Sequence, residues 1–326
     1  MKKFSLKQIA GEQGFTLVEL LVYIAIAGIV MGAIYTTFKR QQDSYLVQER
    51  LAILQQNLRG AMYLLASELQ MAGYYTCYDP LAFPFPVDWD GDTLNESIRP
   101  LIFGADLDPD TIVIVKASGQ EIRALQTGAP NEGALQGSSQ ITLNDFDLDG
   151  DGDNDFDVAT KPYGVIVKSD FTRAEFFRVT LVGANLTVSP ASGTFQEPYF
   201  PGPTAAQSDM IARADLIVYT LDTATNRLMR QNLGDGTGNQ IVAENISDLQ
   251  LRYAVVDEEN GEVWVNSSSG TKPSPPAGDG KTYDERDIRR IQVTLTGTMQ
   301  ISPALGTKTR SLSSTIKVRN MGMDTL

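Results

Sequence analysis

From Phe15 to Phe38 the chain carries a single charge, Glu19, in a run that begins FTLVELLVYIAIAGIV. Every side of a helix over these residues would be apolar. Such a helix would be roughly 36 Å long at about 1.5 Å per residue, enough to cross a hydrocarbon layer of about 30 Å. After Lys39 and Arg40 the pattern narrows to one stripe. Val47, Leu51, Leu54, Leu58, Met62, Leu65 and Leu69 recur at spacings of three and four, which places them on one helix face. Gln48, Arg50, Gln55, Arg59 and Glu68 occupy the other side, and Gly73 is a natural stop. The pattern predicts one helix from about Phe15 to Ala72, roughly 87 Å long. Its first half would lie in lipid or against other helices, and its second half would pack on a folded head.

The periodicity then changes. Residues 74–110 read as irregular, with Pro80, Pro84, Pro86, Pro100 and Pro109. Short strand-like runs follow at Thr111–Val115, Gly164–Lys168, Glu175–Leu181, Asp215–Thr220, Leu249–Val256, Glu262–Val265, Ile288–Thr296 and Ser314–Val318. In one of them Ile291, Val293 and Leu295 alternate with Gln292, Thr294 and Thr296, the period of a half-buried strand. Asn260-Gly261 reads as a tight hairpin turn, and Ser267–Gly280 as a flexible loop by composition. The expected fold class is α+β, a long N-terminal helix on a mainly antiparallel β head.

Lys2, Lys3 and Lys7 precede the apolar run and would keep that end cytoplasmic. Three readings of the segment compete. A secretory signal would be cut near Ala25-Ile26-Ala27, a small-x-small pattern, yet the apolar run continues well past it. A plain membrane anchor explains the length and leaves Glu19 unexplained. A carboxylate in a span costs on the order of 2.5–3.5 kcal/mol, so a partner for it is expected. The third reading supplies one. Gly14-Phe15-Thr16-Leu17-Val18-Glu19 resembles the class III signal of type IV prepilins and pseudopilins. The resemblance implies cutting after Gly14 by a membrane prepilin peptidase, N-methylation of Phe15, and an assembly role for Glu19. The new amine at Phe15 would lie one turn from Glu19. The carboxylate would neutralise that amine or the amine of a neighbouring subunit.

A second set of segments resembles PilW-type minor pilins: Leu58–Tyr74, Asp287–Leu295 and Ser314–Asn320. The large head and the lone Cys77 favour a minor, tip or priming subunit over the bulk of a fibre. The J-type pseudopilin of type II secretion is the next resemblance. The implied organisation is a cleaved leader at 1–14, a transmembrane assembly helix at 15–38, an amphipathic helix at 39–73 and a β-rich head at 74–326. The implied function is a minor pilin that helps initiate or cap a type IV pilus. Its partners would be other pilins, prepilin peptidase and the inner-membrane assembly platform. It would sit in the bacterial inner membrane before assembly and on the pilus or cell surface afterwards, with its head on the periplasmic or extracellular side.

Composition narrows the remaining classes. A net charge of −13 argues against nucleic acid, which requires a basic surface. The chain has no histidine, which removes the usual general base and the usual zinc sites. Cys77 cannot form an intrachain disulfide. No pair of carboxylates stands out for glycosidase chemistry, so an enzyme is not expected. Gly234–Gly238 lacks the Lys-Ser/Thr of a phosphate loop and reads as a turn. The aromatics Tyr74, Tyr75, Tyr78, Phe83, Phe85 and Trp89 read as core or subunit packing.

The acids are clustered. Asp145, Asp147, Asp149, Asp151, Asp153, Asp155 and Asp157 alternate through 145–157, with Gly150 and Gly152 among them. Alternate aspartates about a sharp turn suit Ca2+, which takes about 6–8 oxygen ligands. The D-x-D-x-D-G pattern fits from Asp145 and from Asp147; the second frame adds Asp155 at its ninth place. Both frames lack the closing glutamate of an EF-hand. The competing reading is a solvated acidic loop. Asp88, Asp90 and Asp92 form a shorter version. A structural Ca2+ that pins a loop of the head is the expectation, and a Ca2+-dependent adhesin at a pilus tip is the related alternative.

Overall fold

The computed structural model describes residues 16–74, 110–128, 130–190, 193–257, 261–266, 270–272, 280–283 and 287–318, together with the backbone of 83–87, 96–98 and 101–103. Cys77, Asp88, Asp90, Asp92, Gly14, Phe15, Tyr75, Tyr78, Trp89, the side chains of Phe83 and Phe85, the Asn260 turn position and most of Ser267–Gly280 lie outside the described residues. The chain divides into two compact units, Met1–Ala52 with Gln300–Thr307, and Ile53–Met299 with Lys308–Leu326.

The helix α1 runs from Leu17 to Met71, 55 residues without a break. Its stop is the expected one. Gly73 takes φ +69°, a left-handed value that favours glycine, and its N–H donates to Val115 O at 2.9 Å. An eighteen-residue window of α1 has a mean hydropathy of 2.4, and none of it is buried by the chain itself. By length and composition this helix could cross a membrane.

Eighteen strands are described. Two short antiparallel pairs join β1 (Phe83–Val87) to β2 (Glu96–Ile98) and β15 (Gly270–Thr271) to β16 (Thr282–Tyr283). The larger sheet holds β3 (Leu101–Phe103), β4 (Ile112–Ala124), β5 (Gly133–Ala134), β6 (Gln140–Thr142), β7 (Tyr163–Val167), β8 (Ala174–Val182), β9 (Leu186–Pro190), β10 (Met210–Asp222), β11 (Arg227–Asn232) and β12 (Thr237–Glu244). Its order is β12-β11-β10-β7-β8-β9-β6-β5, with β4 also paired to β10 and β3 to β4. The second sheet is β14-β13-β17-β18, from β13 (Ile246–Asp257), β14 (Gly261–Val265), β17 (Ile288–Ser302) and β18 (Gly306–Lys317). The described pairings are antiparallel, so the chain is α+β as expected.

β10 is the hub. It pairs with β4, β7 and β11, and it is buried from Ile211 to Tyr219. Ile217 and Tyr219 join the core that receives α1, whereas Ala212, Ala214, Leu216 and Val218 face a second core with Val113, Val115, Val165 and Phe176. Covered on both faces, β10 is continuously apolar over Leu216–Val218, while the buried Arg213 and Asp215 before it pair with each other and with Glu121 and Lys116. In β13 and β17 the period-two pattern holds: Leu249, Leu251 and Tyr253 oppose Leu295, Val293 and Ile291 in the core. Gln250 and Arg252 pair with Thr294 and Gln292 on the other face.

From Ile53 onward α1 belongs to the same unit as these sheets. Leu54, Leu58, Ala61, Met62, Leu65 and Leu69 are buried against β4, β10, β13 and β17, and the predicted stripe positions Val47 and Leu51 are half-buried. Each large apolar side chain contributes about 1.5–3 kcal/mol by leaving water, so the stripe is worth on the order of 10 kcal/mol. Close approach is possible because β17 carries Gly297, where an added Cβ would stand 2.6 Å from Leu54 Cδ1.

A polar clamp fixes the rotation of the helix. Tyr219 Oη on β10 donates to Glu68 Oε2, and Arg230 on β11 donates to Glu68 Oε1 from Nε at 3.0 Å and Nη2 at 2.8 Å. Tyr219 and Arg230 are register partners, so the two strands present one binding face to the carboxylate. Burial, and then the Glu68 carboxylate, push the Tyr219 hydroxyl above its ordinary range, so it remains a donor. Removing one partner of a buried pair strands the other, at about 3–5 kcal/mol where burial is complete. This clamp is partly exposed, so Glu68→Ala is expected to lower stability by about 2–4 kcal/mol in urea unfolding of the full chain in detergent. The triple variant Glu68→Leu, Tyr219→Phe, Arg230→Met is expected to lose less than Glu68→Ala alone.

Candidate functional site

Two places carry the chemistry, and the first is the start of α1. Thr16 is its N-cap: Glu19 N donates to Thr16 Oγ1 at 3.3 Å, and Leu20 N donates to Thr16 O at 3.2 Å. Glu19 reaches back. Its Oε2 accepts from Thr16 N at 3.0 Å and from Thr16 Oγ1 at 3.0 Å. This is a reciprocal capping box, which satisfies two backbone donors that a helix start otherwise leaves open. The sequence analysis singled out Glu19 and missed Thr16, although Thr-x-x-Glu before an apolar run is the signature of this motif.

Further along α1, Thr36 and Thr37 return their hydroxyls to Ala33 O at 2.9 and 3.0 Å, so neither needs a partner in lipid. Gly28 and Gly32 leave open space where a Cβ would stand, and Leu17, Leu21, Ile24, Ile29 and Ile34 are exposed. Gly14 and Phe15, the implied cutting positions, lie outside the described residues.

Comparison with known proteins bears on this segment. The family model of the prokaryotic N-terminal methylation motif matches residues 9–35. The chain carries a prepilin-type N-terminal signal. That motif supports a pilin-like or pseudopilin-like role, with processing by prepilin peptidase and membrane association. No curated protein and no solved structure matches the chain.

The second place is the acidic loop between β6 and β7. Its apolar residues anchor it: Leu148 and Phe156 are buried in a core with Phe177, Phe195 and Tyr199, and Phe146 packs against that core. The ring centroids of Phe156 and Phe177 lie 5.9 Å apart. The loop entrance is tied down by buried Glu132, which takes both Arg123 nitrogens, at 2.5 and 2.9 Å, and the amides of Gln126 and Asn144. Arg123 Nη2 also donates to Asp145 O at 2.8 Å.

The seven aspartates divide by the direction each takes. Asp147, Asp149 and Asp151 can each bring one carboxylate oxygen within 4.8 Å of the other two. Asp147 orders the turn, accepting from Gly150 N at 2.6 Å and Gly152 N at 2.8 Å. Those glycines have φ of +82° and +96°, which bends the chain around the three carboxylates. Asp145 accepts from Asp147 N, and Asp157 caps a turn through Ala159 N, Thr160 N and Thr160 Oγ1. Asp155 faces inward: Oδ2 accepts Leu148 N at 2.5 Å, and Oδ1 lies 3.8 Å from Lys161 Nζ. Lys161 Nζ also reaches Asp153 at 3.1 Å and Glu121 at 3.8 Å.

The electrostatics follow this division. Lys161 holds the Asp153 carboxyl below its ordinary value. The amide of Asp153 pulls Asp151 down, but the neighbouring carboxylates and partial desolvation outweigh it and raise that group. Burial, with Glu121 and Asp149 beside it, pushes Asp155 up to about 6. Neither Lys161 nor Glu121 was singled out from the sequence: Glu121 lies far from the acidic run in the chain, and Lys161, four residues past Asp157, carries no pattern that shows it folding back over the loop. The three converging carboxylates are hard oxygen donors on a glycine turn and fit a divalent cation such as Ca2+. The turn between β11 and β12 is 233–236, so of the Gly234–Gly238 segment Thr237 and Gly238 already belong to β12, and Asp235 caps Thr237 N at 2.8 Å.

The raised Asp155 group sets a pH dependence. The folded chain binds its proton more tightly than the unfolded chain, so ionising it costs stability as pH rises. In chelator, the contribution of Asp155 to stability is expected to fall between about pH 4 and pH 7. Asp155→Asn should flatten that slope in urea titrations at a series of pH values; an unchanged slope would assign it elsewhere.

Proposed function

We propose that this protein is a minor pilin, cut after Gly14, methylated at Phe15 and inserted in the bacterial inner membrane, where it helps initiate or cap a type IV pilus. The observation that carries the reading is the prepilin-type signal at the head of a helix whose first apolar stretch the chain leaves uncovered. A helix of this kind needs lipid first and other helices afterwards. Glu19 then meets the amine created at Phe15, on its own chain or a neighbour's, and a subunit at the wrong height leaves a charge unpaired in lipid. The large head, fixed to the second half of α1 by the Glu68 clamp, supports a minor subunit.

Within this reading the Asp147, Asp149 and Asp151 carboxylates hold a structural Ca2+ that pins the 145–157 loop. The ion would supply positive charge to three carboxylates that otherwise repel, and the sequence residues that hold it are those three.

Gly14→Leu should leave the leader uncut, read as a mobility shift on immunoblot. Glu19→Val should be cut at near the normal level but enter filaments at least tenfold less, read in sheared pilus fractions. Normal incorporation of Glu19→Val would remove the charge-pairing account. Deleting the gene should abolish or strongly reduce surface pili. Intact pili with failed protein secretion would instead favour a J-type pseudopilin, and intact pili with lost attachment a tip adhesin. For the loop, chelator should lower the melting temperature by several degrees, with Ca2+ restoring it and Mg2+ failing to. Asp149→Asn should show neither effect, and a melting temperature indifferent to chelator would refute the ion.

A further inference from the structure

Lys161 is placed by the turn that follows the acidic run. Its N–H donates to Asp157 O and its carbonyl accepts from Asp157 N, both at 3.1 Å, so residues 157–161 close on themselves. The side chain returns over the loop, and the ammonium comes to rest among four oxygens. It donates to Asp153 Oδ2 at 3.1 Å and to Asn154 O at 3.3 Å, and it lies 3.8 Å from Asp155 Oδ1 and from Glu121 Oε1. The last two are too distant for hydrogen bonds. Asp155 is 1% exposed, and its Oδ1 accepts no hydrogen bond from the described residues. Glu121, on β4, is held by Arg213, which also reaches Asp215 at 3.1 Å. Among the described residues, Lys161 is the cation within ion-pair distance of Asp153 and Asp155.

Two observations mark this place as a cation seat: a cation of the chain already sits in it, and a buried carboxylate oxygen faces it without a donor. The seat suits more charge than it holds. An ammonium brings one charge and three donors, whereas a divalent cation such as Ca2+ draws about 6–8 oxygens to about 2.3–2.6 Å. We propose that the Lys161 ammonium is a tethered cation seated in a second oxygen site, made by Asp153, Asp155, Glu121 and the Asn154 carbonyl, and that it keeps a divalent ion out of that site. These donors are distinct from the Asp147, Asp149 and Asp151 carboxylates. The proposal goes beyond the Ca2+ reading above and does not depend on it: it concerns how many ions the loop admits, not whether the first cluster holds one. A tethered charge stays in place whatever the ion concentration outside, so the inner carboxylates keep a counter-charge when free ions are scarce.

The test counts bound ions. The full chain in detergent, stripped with chelator, is titrated with Ca2+ by calorimetry. Lys161→Met keeps an unbranched stem and removes the charge, and it is expected to bind one ion more per chain than wild type. Lys161→Arg keeps the charge and is expected to bind the wild-type number. Adding Asp155→Asn to Lys161→Met should remove the extra ion, whereas adding Asp149→Asn should leave it. An unchanged count in Lys161→Met, an extra ion in Lys161→Arg, or an extra ion that needs Asp149 but not Asp155 overturns the proposal. Should Lys161→Met be unfolded in chelator, read by circular dichroism, recovery of the wild-type spectrum in Ca2+ supports the site, and failure to recover overturns it. A wild-type chain that binds no Ca2+ would end the reading of Asp147, Asp149 and Asp151 as an ion site. The difference between Lys161→Met and wild type would still decide the role of Lys161.

Discussion

One helix serves two environments, and the rest of the structure follows from that requirement. From Ile53 to Met71 it is a core element, with Leu54, Leu58, Leu65 and Leu69 sealed against two sheets. Its residues from Leu17 to Phe38 expose large apolar side chains that nothing in the described chain covers. The first condition demands one stripe and the second demands apolarity all round, and α1 changes from one to the other near Lys39 and Arg40 without a break in its backbone. Burial alone would allow the core half to roll about its axis. Glu68, held by Tyr219 and Arg230 from two paired strands, removes that freedom. Gly297 lets the strand beneath come close enough for Leu54 to seat.

Charge is handled by the same economy at both candidate sites. A charged or polar group in a poorly solvated place must find donors or counter-charges nearby, or it becomes neutral. Glu19 finds Thr16, three residues away, through the oldest device for helix starts, the capping box. In the acidic loop the solutions differ from residue to residue. Asp155 turns inward and takes the Leu148 amide; Asp153 takes Lys161; Asp157 takes a turn of backbone amides. Asp147, Asp149 and Asp151 are left facing one another. The anchor residues Leu148 and Phe156 decide this sorting, because burying them fixes which carboxylates point out of the loop.

Local pattern made much of this legible. The apolar run, the three-and-four stripe, the glycine stop and the alternation in β17 depend only on near neighbours in the chain, and all reappear in the structure. The prepilin-type signal was equally local. Thr16 was local too, and its omission came from reading Glu19 as an isolated cost rather than as the third residue of a helix. β11 and β12 escaped notice for another reason. RLMRQN and TGNQIVAE have few apolar residues, and β12 is mostly exposed, so their strand identity comes from pairing, β11 on β10 and β12 on β11, rather than from burial.

By itself, then, the sequence determined the helix, its change of environment, the signal at its head and the presence of an acidic loop, since each is a repeat or motif within a few turns of chain. Only the tertiary structure decided that β10 would be the doubly covered hub, that Glu68 would meet Tyr219 and Arg230 across more than 150 positions, and that Glu121 would come beside the buried Asp155 with Lys161 reaching both. Those contacts join residues remote in the chain, and no periodicity encodes them. They arise because closing the sheets brings the strands carrying these side chains to one place, where each buried charge must be satisfied by whatever partner the fold supplies.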